Sequence, residues 1–290
     1  MSAQAVPTRL GYEEVMRLES RQTFDWTEKD AIQYALGIGM ADDPLDETEL
    51  PFVREYAQQV FPTFPVVVAF PGGPLSQIGL DYRRVLHGEH AITLHRTIPP
   101  CGRAVAVGTM LGVWDKGVGK GAVFSQRKTL HLDSGELLAS IVTTVFGRSE
   151  GGFGGLTQGQ PRSLQRPARA PDLVVGIQTL PKQALLYRMS GDLNPLHIDP
   201  AVARQAGFER PILHGLCTFA ICCRAVVRHC GGGDPLRIRH HALRFSQPVY
   251  PGERIEIELW IDHDRVEFEA HVRERDVCVV RSGLALLAAA

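Results

Sequence analysis

Apolar and polar residues alternate through most of the chain, and the alternation breaks at Gly, Pro and Asp clusters. In the first half this predicts strands over residues 90–96, 104–114, 120–131 and 137–147. In the second half it predicts strands over 238–245, 254–263, 265–274 and 277–287. Helical spacing appears in fewer places. Thr27, with Asp30 three residues on, caps a helix that ends near Gly37 and Gly39. Thr179 precedes a similar segment that ends at Tyr187. Residues 203–207 read as a short helix, and the small apolar residues of 211–227 read as a buried one. Residues 61–80 are equally apolar, but their Gly and Pro content argues against a regular helix. Antiparallel strands wrapped on one apolar helix make an α+β layout.

The pattern is written twice. Tyr187 follows Tyr34 by 153 positions, while Gly252 follows Gly102, and His240 follows His90, by 150. Near-constant offsets predict an internal duplication, with one module over 1–148 and another over 172–290. The stretch between them, 149–171, has the Gly, Pro and Arg content of a linker. In this alignment Gly39, Ala41 and Pro44 stand where the second copy has Asp192, Asn194 and His197. The first copy has lost every titratable group there, so the second half is expected to carry the chemistry.

Composition narrows the classes. A chain of 290 residues can bury a large core or two domains. A net charge of −1 gives no general reason to expect nucleic acid or a membrane as partner. The six cysteines are expected to be reduced, buried thiols. Residues 1–7 do not resemble a secretory leader and the last residues are not a peroxisomal address, so a cytoplasmic location is expected. Gly151-Gly-Phe-Gly-Gly155 lacks the spacing of a dinucleotide fingerprint. His214, Cys217, Cys222 and Cys223 lack standard zinc-ligand spacings, so no metal is expected.

One stretch concentrates polar chemistry: Tyr187-Arg-Met-Ser-Gly-Asp-Leu-Asn-Pro-Leu-His-Ile-Asp-Pro200, followed by Arg210-Pro-Ile-Leu-His-Gly215. Asn194-Pro195 favours an extended or turn conformation, placing Asp192, Asn194 and His197 on an ordered overhang. Taken alone, an Asp five residues from a His is an ordinary surface pair, and a glycine at a helix start is an ordinary packing residue.

Together, these segments resemble the hydratase 2 motif of the MaoC-like (R)-specific enoyl-CoA hydratases, and the resemblance extends into the first half. It implies a double hotdog fold and hydration of an enoyl thioester across its C2–C3 bond. Asp192 and His197 would hold the water, with Asn194 orienting it or stiffening the loop. Gly215 would donate its N–H to the thioester oxygen. Val85-Leu-His-Gly-Glu89, Trp114-Asp-Lys-Gly117 and Phe245 resemble segments that touch acyl-CoA in two-halved relatives, which implies ligand contacts for His87, Gly88, Lys116 and Phe245. Glu89 would be structural. The first half would shape the acyl pocket, acyl-CoA would be the partner, no cofactor would be needed, and a homodimer is implied. Two rivals remain: the reverse reaction, a (3R)-hydroxyacyl thioester dehydratase, and an inactive hotdog that binds acyl thioesters. A thioesterase is disfavoured by the hydratase-type overhang.

Overall fold

The computed structural model describes residues 10–289 apart from 71, 81–83 and 162–163. The N-terminal segment read for a leader and the final alanine lie outside the described residues. Ten strands form one antiparallel sheet. They are β1 Glu19–Trp26, β2 Val85–Leu94, β3 Gly102–Asp115, β4 Ala122–Leu132 and β5 Leu137–Gly147, then β6 Leu173–Gln178, β7 Ile238–Phe245, β8 Arg254–Asp262, β9 Arg265–Val272 and β10 Val277–Leu287. Their order across the sheet is β1-β3-β4-β5-β2-β7-β10-β9-β8-β6. Each half therefore has the same internal order, and the two meet as mirror-ordered halves at β2 and β7. This is a double hotdog.

The junction corrects the sequence alignment. Ala91 pairs with Ala242, Ile92 with His241, and His90 with Leu243. A twofold relation between antiparallel strands must preserve which face each side chain takes. His90 and His241 are both buried toward the core, while His240 pairs with Thr93 and its Nδ1 lies 2.9 Å from that hydroxyl. The partner of His90 in the repeat is thus His241. Sequence offsets drift because the hairpins of the two halves differ in length, and a one-residue slip reverses the face.

Helix α6, Gly215–His229, runs across the inner face of the sheet, and eleven of its residues are buried, among them Cys217, Phe219 and Cys223. Its first-half counterpart has shrunk to a single turn, α3, Pro65–Val68. Two further helices, α2 Glu28–Gly37 and α4 Gln183–Tyr187, pack together at the junction. Thr27 and Asp30 form the expected reciprocal cap on α2. The fit between α2 and α4 depends on Gly37, because a β-carbon there would lie 3.2 Å from Tyr187 Cα. Tyr34 and Tyr187, both fully buried, bring their rings to 6.0 Å across this contact.

Two strands were not legible as such. β1 is largely exposed and polar, and β6 lies at the opposite edge of the sheet. The Gly-rich stretch is also more ordered than its composition suggested. The Asp115 carboxylate accepts the N–H groups of Gly117, Gly152, Phe153 and Gly154 at 2.8–3.0 Å. This is an anion-binding nest filled by the chain's own carboxylate. Burial would raise the Asp115 pKa, but the four backbone donors outweigh it and hold the group below its usual value.

Asp115→Asn should therefore cost about 2 kcal/mol, or about 5 °C in Tm, because a neutral amide replaces the charge that four backbone donors share. Because the folded carboxylate has the lowered pKa, its contribution is present above the unfolded pKa of about 3.9 and is lost as pH falls through the folded value. Thermal melts from pH 3 to 7 check both points; an unchanged Tm at pH 7 would remove the nest as a stabilising element.

Candidate functional site

The overhang between α4 and α6 is built from local capping. Gly191 turns the chain with φ at 116°, a conformation that favours glycine. The Asn194 side chain accepts the Leu196 N–H at 3.0 Å, and its own N–H donates to Asp192 Oδ1 at 3.2 Å. Pro195 then starts a single 3-10 turn, Pro195–His197. Asp199 caps the next helix, α5 Pro200–Gln205, through the N–H groups of Ala201 and Val202. Asn194 therefore stiffens the loop, and it does so with the oxygen that could otherwise have reached outward.

These turns bring Asp192 and His197 together. His197 Nε2 lies 4.0 Å from Asp192 Oδ2, and His197 is 8% exposed. His197 Nδ1 donates to the carbonyl of Ile212 at 2.9 Å, which leaves Nε2 as the lone-pair nitrogen of the neutral ring. Burial lowers the His197 pKa below its usual 6.5, against the opposing pull of the Ile212 carbonyl and of Asp192. The neutral ring and the carboxylate thus present two acceptors, Nε2 and Oδ2, with no proton between them and 4.0 Å apart. A water oxygen about 2.8 Å from each would see them at about 90°, close to its own bond angle, and could donate one proton to each.

Gly215 opens α6, with His214 as its N-cap residue. Its N–H is among the donors that a helix start leaves without an intrahelical partner. A β-carbon on Gly215 would meet Phe245 at 3.4 Å, close to ordinary contact, so the packing against Phe245 does not by itself demand a glycine. Phe245 in turn stacks edge-on with His87 at 4.9 Å, and His87 Nε2 lies 3.2 Å from His90 Nδ1. Gly215, Phe245 and His87 therefore form a continuous wall from the second half into the first. Burial depresses the His87 pKa to about 4, so the ring is neutral.

The remaining expected contacts fall elsewhere. Gly88 occupies the bulge in β2, where a β-carbon would sit 3.3 Å from the Thr144 carbonyl. Lys116 lies at the tip of the β3–β4 hairpin and donates to Gln160 at 2.9 Å. With β4 and β5 between β3 and β2, it stands three strands, about 14 Å, from β2. The structure does not bring it to the cluster.

Several neighbours went unread in the sequence. His214 lies 1% exposed, stacked on His197 with ring centroids 3.7 Å apart. Its only sequence signal was its place immediately before Gly215. From the first half, the strap after α3 comes close to the overhang, since a β-carbon on Gly191 would lie 3.9 Å from the Phe70 carbonyl. The strap is held from below by Lys128, whose ammonium donates to the Ala69 and Gly72 carbonyls, and by Gln126, which accepts the Leu75 N–H at 3.0 Å.

Donor atoms of Asp192, His197 and His214 lie within 4.8 Å of one another. As metal ligands they are poorly disposed, because the imidazoles stack face to face and their in-plane lone pairs do not converge. A second group, Glu269, His271 and Cys278, meets the same distance limit. There, Arg166 approaches Glu269 and pairs with the neighbouring Glu258, which Arg273 also engages. The thiols of Cys217, Cys222 and Cys223 are buried, and burial raises their pKa values strongly, which suits core residues and not nucleophiles.

Comparison with known proteins identifies the family. A family profile described as MaoC like domain matches residues 162–281, and one described as MFE-2 hydratase 2 N-terminal domain matches residues 24–149. The chain is 39% identical over 277 residues to Enoyl-CoA hydratase ChsH3 of Mycobacterium tuberculosis, covering 92% of this chain and 94% of that protein. It is 38% identical over 261 residues to 3-hydroxyacyl-thioester dehydratase Y of the same organism, covering 87% and 88%. The solved structure of a MaoC-like dehydratase from Phytophthora capsici superposes with a TM-score of 0.85 at 31% identity, over 96% of this chain and 98% of that one. With its overhang on the second repeat and a hydratase 2 N-terminal domain as the first, the chain belongs to the MaoC-like hydratase 2 family.

Proposed function

We propose that this protein is an (R)-specific 2-enoyl-CoA hydratase, adding water reversibly to trans-2-enoyl-CoA to give (3R)-3-hydroxyacyl-CoA. The observation that carries the proposal is the 4.0 Å gap between His197 Nε2 and Asp192 Oδ2, sized for one water. In the forward direction the water oxygen bonds to C3 while the pair takes one of its protons. The C2–C3 π electrons move toward the thioester oxygen, where the Gly215 N–H receives the developing charge. The proton held by the pair then passes to C2. Both additions come from the side of the overhang, so addition is syn. Two groups that share one water titrate as a unit, and the proton belongs to the pair. An oxyanion donor of this kind contributes about 3–4 kcal/mol to barrier lowering.

Atoms balance with water and the enoyl thioester alone, and the formal oxidation at C3 and reduction at C2 cancel, so the proposal includes no redox cofactor and assigns no step to a metal. His87 and Phe245 serve as the wall beside the thioester. Lys116, away from this wall, is the proposed point charge for a CoA phosphate. Among the described residues of 61–80 only single turns form, and this supports an acyl pocket beneath the first half. We further assign the protein to the cytoplasm as a homodimer. All six thiols are free, which suits a reducing compartment. Among the described residues no helix is long and apolar enough to cross a membrane.

The same residues run the reaction backward as a (3R)-hydroxyacyl thioester dehydratase, and the relative bearing the dehydratase name supports that direction. Turnover of enoyl thioesters of several chain lengths, on CoA and on acyl-carrier protein, separates the two physiological roles.

Asp192→Asn should lower kcat about 10²–10⁴-fold without loss of Tm. The assay is the fall in enoyl absorbance with chiral analysis of the product. Unimpaired hydration by the variant would point to an inactive binding protein whose apparent activity comes from elsewhere. Since burial places the His197 pKa below 6.5 and protonation removes its lone pair, kcat/KM should fall on acidification with a midpoint under pH 6.5. A midpoint above that value would contradict a neutral buried imidazole.

A further inference from the structure

We infer that His214 is a positioning residue for the water-holding pair, fixing Asp192 through its main chain and His197 through its ring. The inference rests on the hydratase assignment for its consequence but on separate contacts for its geometry. His214 Nε2 lies 3.2 Å from the Asp192 carbonyl oxygen. A carbonyl only accepts, so that nitrogen carries the proton and the tautomer is set. The ring makes the second contact: its plane lies 27° from that of His197, at 3.7 Å between centroids. Tyr187 closes the far side at 5.0 Å. One side chain thus touches both members of the pair, and it is also the N-cap residue of the helix that carries Gly215.

The stack on His197 favours a neutral ring. His197 is faced by Asp192 on its own overhang, by the Ile212 carbonyl and by His214, while Arg188 acts on His214 from the turn before Gly191. A cation at His214 would repel His197 and destabilise any proton taken up there. Burial, followed by the nearness of His197, depresses the His214 pKa to about 3, so the ring stays uncharged throughout the working range. A phenylalanine in its place would keep the flat apolar cover over His197 but release the Asp192 carbonyl. A glutamine would keep a donor for that carbonyl but remove the cover. The two functions are therefore separable.

The test compares His214→Phe and His214→Gln in the full-length protein, each first checked for native circular dichroism and a cooperative melt. For H214F, kcat should fall about 10- to 100-fold, the order expected from misplacing a catalytic group by about 1 Å, with KM changing less than about 3-fold. For H214Q, the loss in kcat should be smaller, and the acid midpoint of kcat/KM should rise toward 6.5 by about half a unit or more as water reaches His197. The His197 ring is titrated in parallel by NMR in the wild type and H214Q, which needs no turnover. If the wild type hydrates no enoyl thioester, the hydratase assignment falls, and the His197 titration still decides the positioning role. Wild-type kcat in H214F, or an unmoved His197 titration in H214Q, overturns it, as does a loss confined to KM.

Discussion

The pairing of β2 with β7 governs the molecule. Without it there are two half-sheets, each with an inner edge of unpaired backbone donors and acceptors that must be satisfied elsewhere. With it, one ten-stranded sheet offers a single inner face to α2, α4 and α6. The Ala91–Ala242 pair at its centre is flanked by two inward histidines, His90 and His241, whose rings pack on Phe219 at 4.9 and 4.6 Å. Burial drives the pKa of both downward, and His241 satisfies one nitrogen by donating to the Phe219 carbonyl at 3.0 Å. Neutral imidazoles here act as polar core residues with apolar faces.

The same physics is put to another use a few ångströms along α6. An imidazole that burial keeps neutral is also one with a lone pair available at neutral pH, and His197 differs from His241 chiefly in what its free nitrogen faces. The overhang sets Asp192 Oδ2 opposite that nitrogen without letting the two bond. Two acceptors facing each other repel, and the loop offsets this through its own turns: Asn194 with Leu196, Asn194 with Asp192, Asp199 with the start of α5. The site is rigid through local hydrogen bonds and is placed by the helix beneath it.

Much of this could be read in the residues. Strand positions 137–147, 238–245 and 277–287 match the observed elements to the residue, because alternation and turn residues agreed there. The loop chemistry was legible because Asn-Pro and Asp-Pro act within a few residues. What escaped depends on long-range contact. β1 and β6 are edge strands whose pairing comes from distant partners, and their patterns carry little burial signal. The Asp115 nest joins residues far apart in sequence, so a segment with linker composition is ordered by a carboxylate that local reasoning ignores. In the sequence His214 reads as a poor metal ligand and as the residue before Gly215, whereas the role proposed for it follows from stacking and a carbonyl that only the fold brings near. The alignment of His90 with His240 failed by one residue because burial, not identity, decides which histidines are equivalent.

The altered first copy is more than a vacated duplicate. Gln33 on α2 donates to the Met189 carbonyl at 2.6 Å, three residues before Asp192, and Gln183 donates to the Gly37 carbonyl at 2.6 Å. Arg224 on α6 grips Glu49 at 2.6 and 2.8 Å, and Glu49 accepts the Ala41 N–H within the segment that once matched the overhang. The first-copy counterpart of the overhang has become its buttress. The half that carries the overhang is consequently not an independent module. Severing the chain between the repeats would expose the β7 edge and withdraw the props under Met189 and α6 together, so the two halves are bound by shared mechanics even though only one carries the overhang's Asp and His.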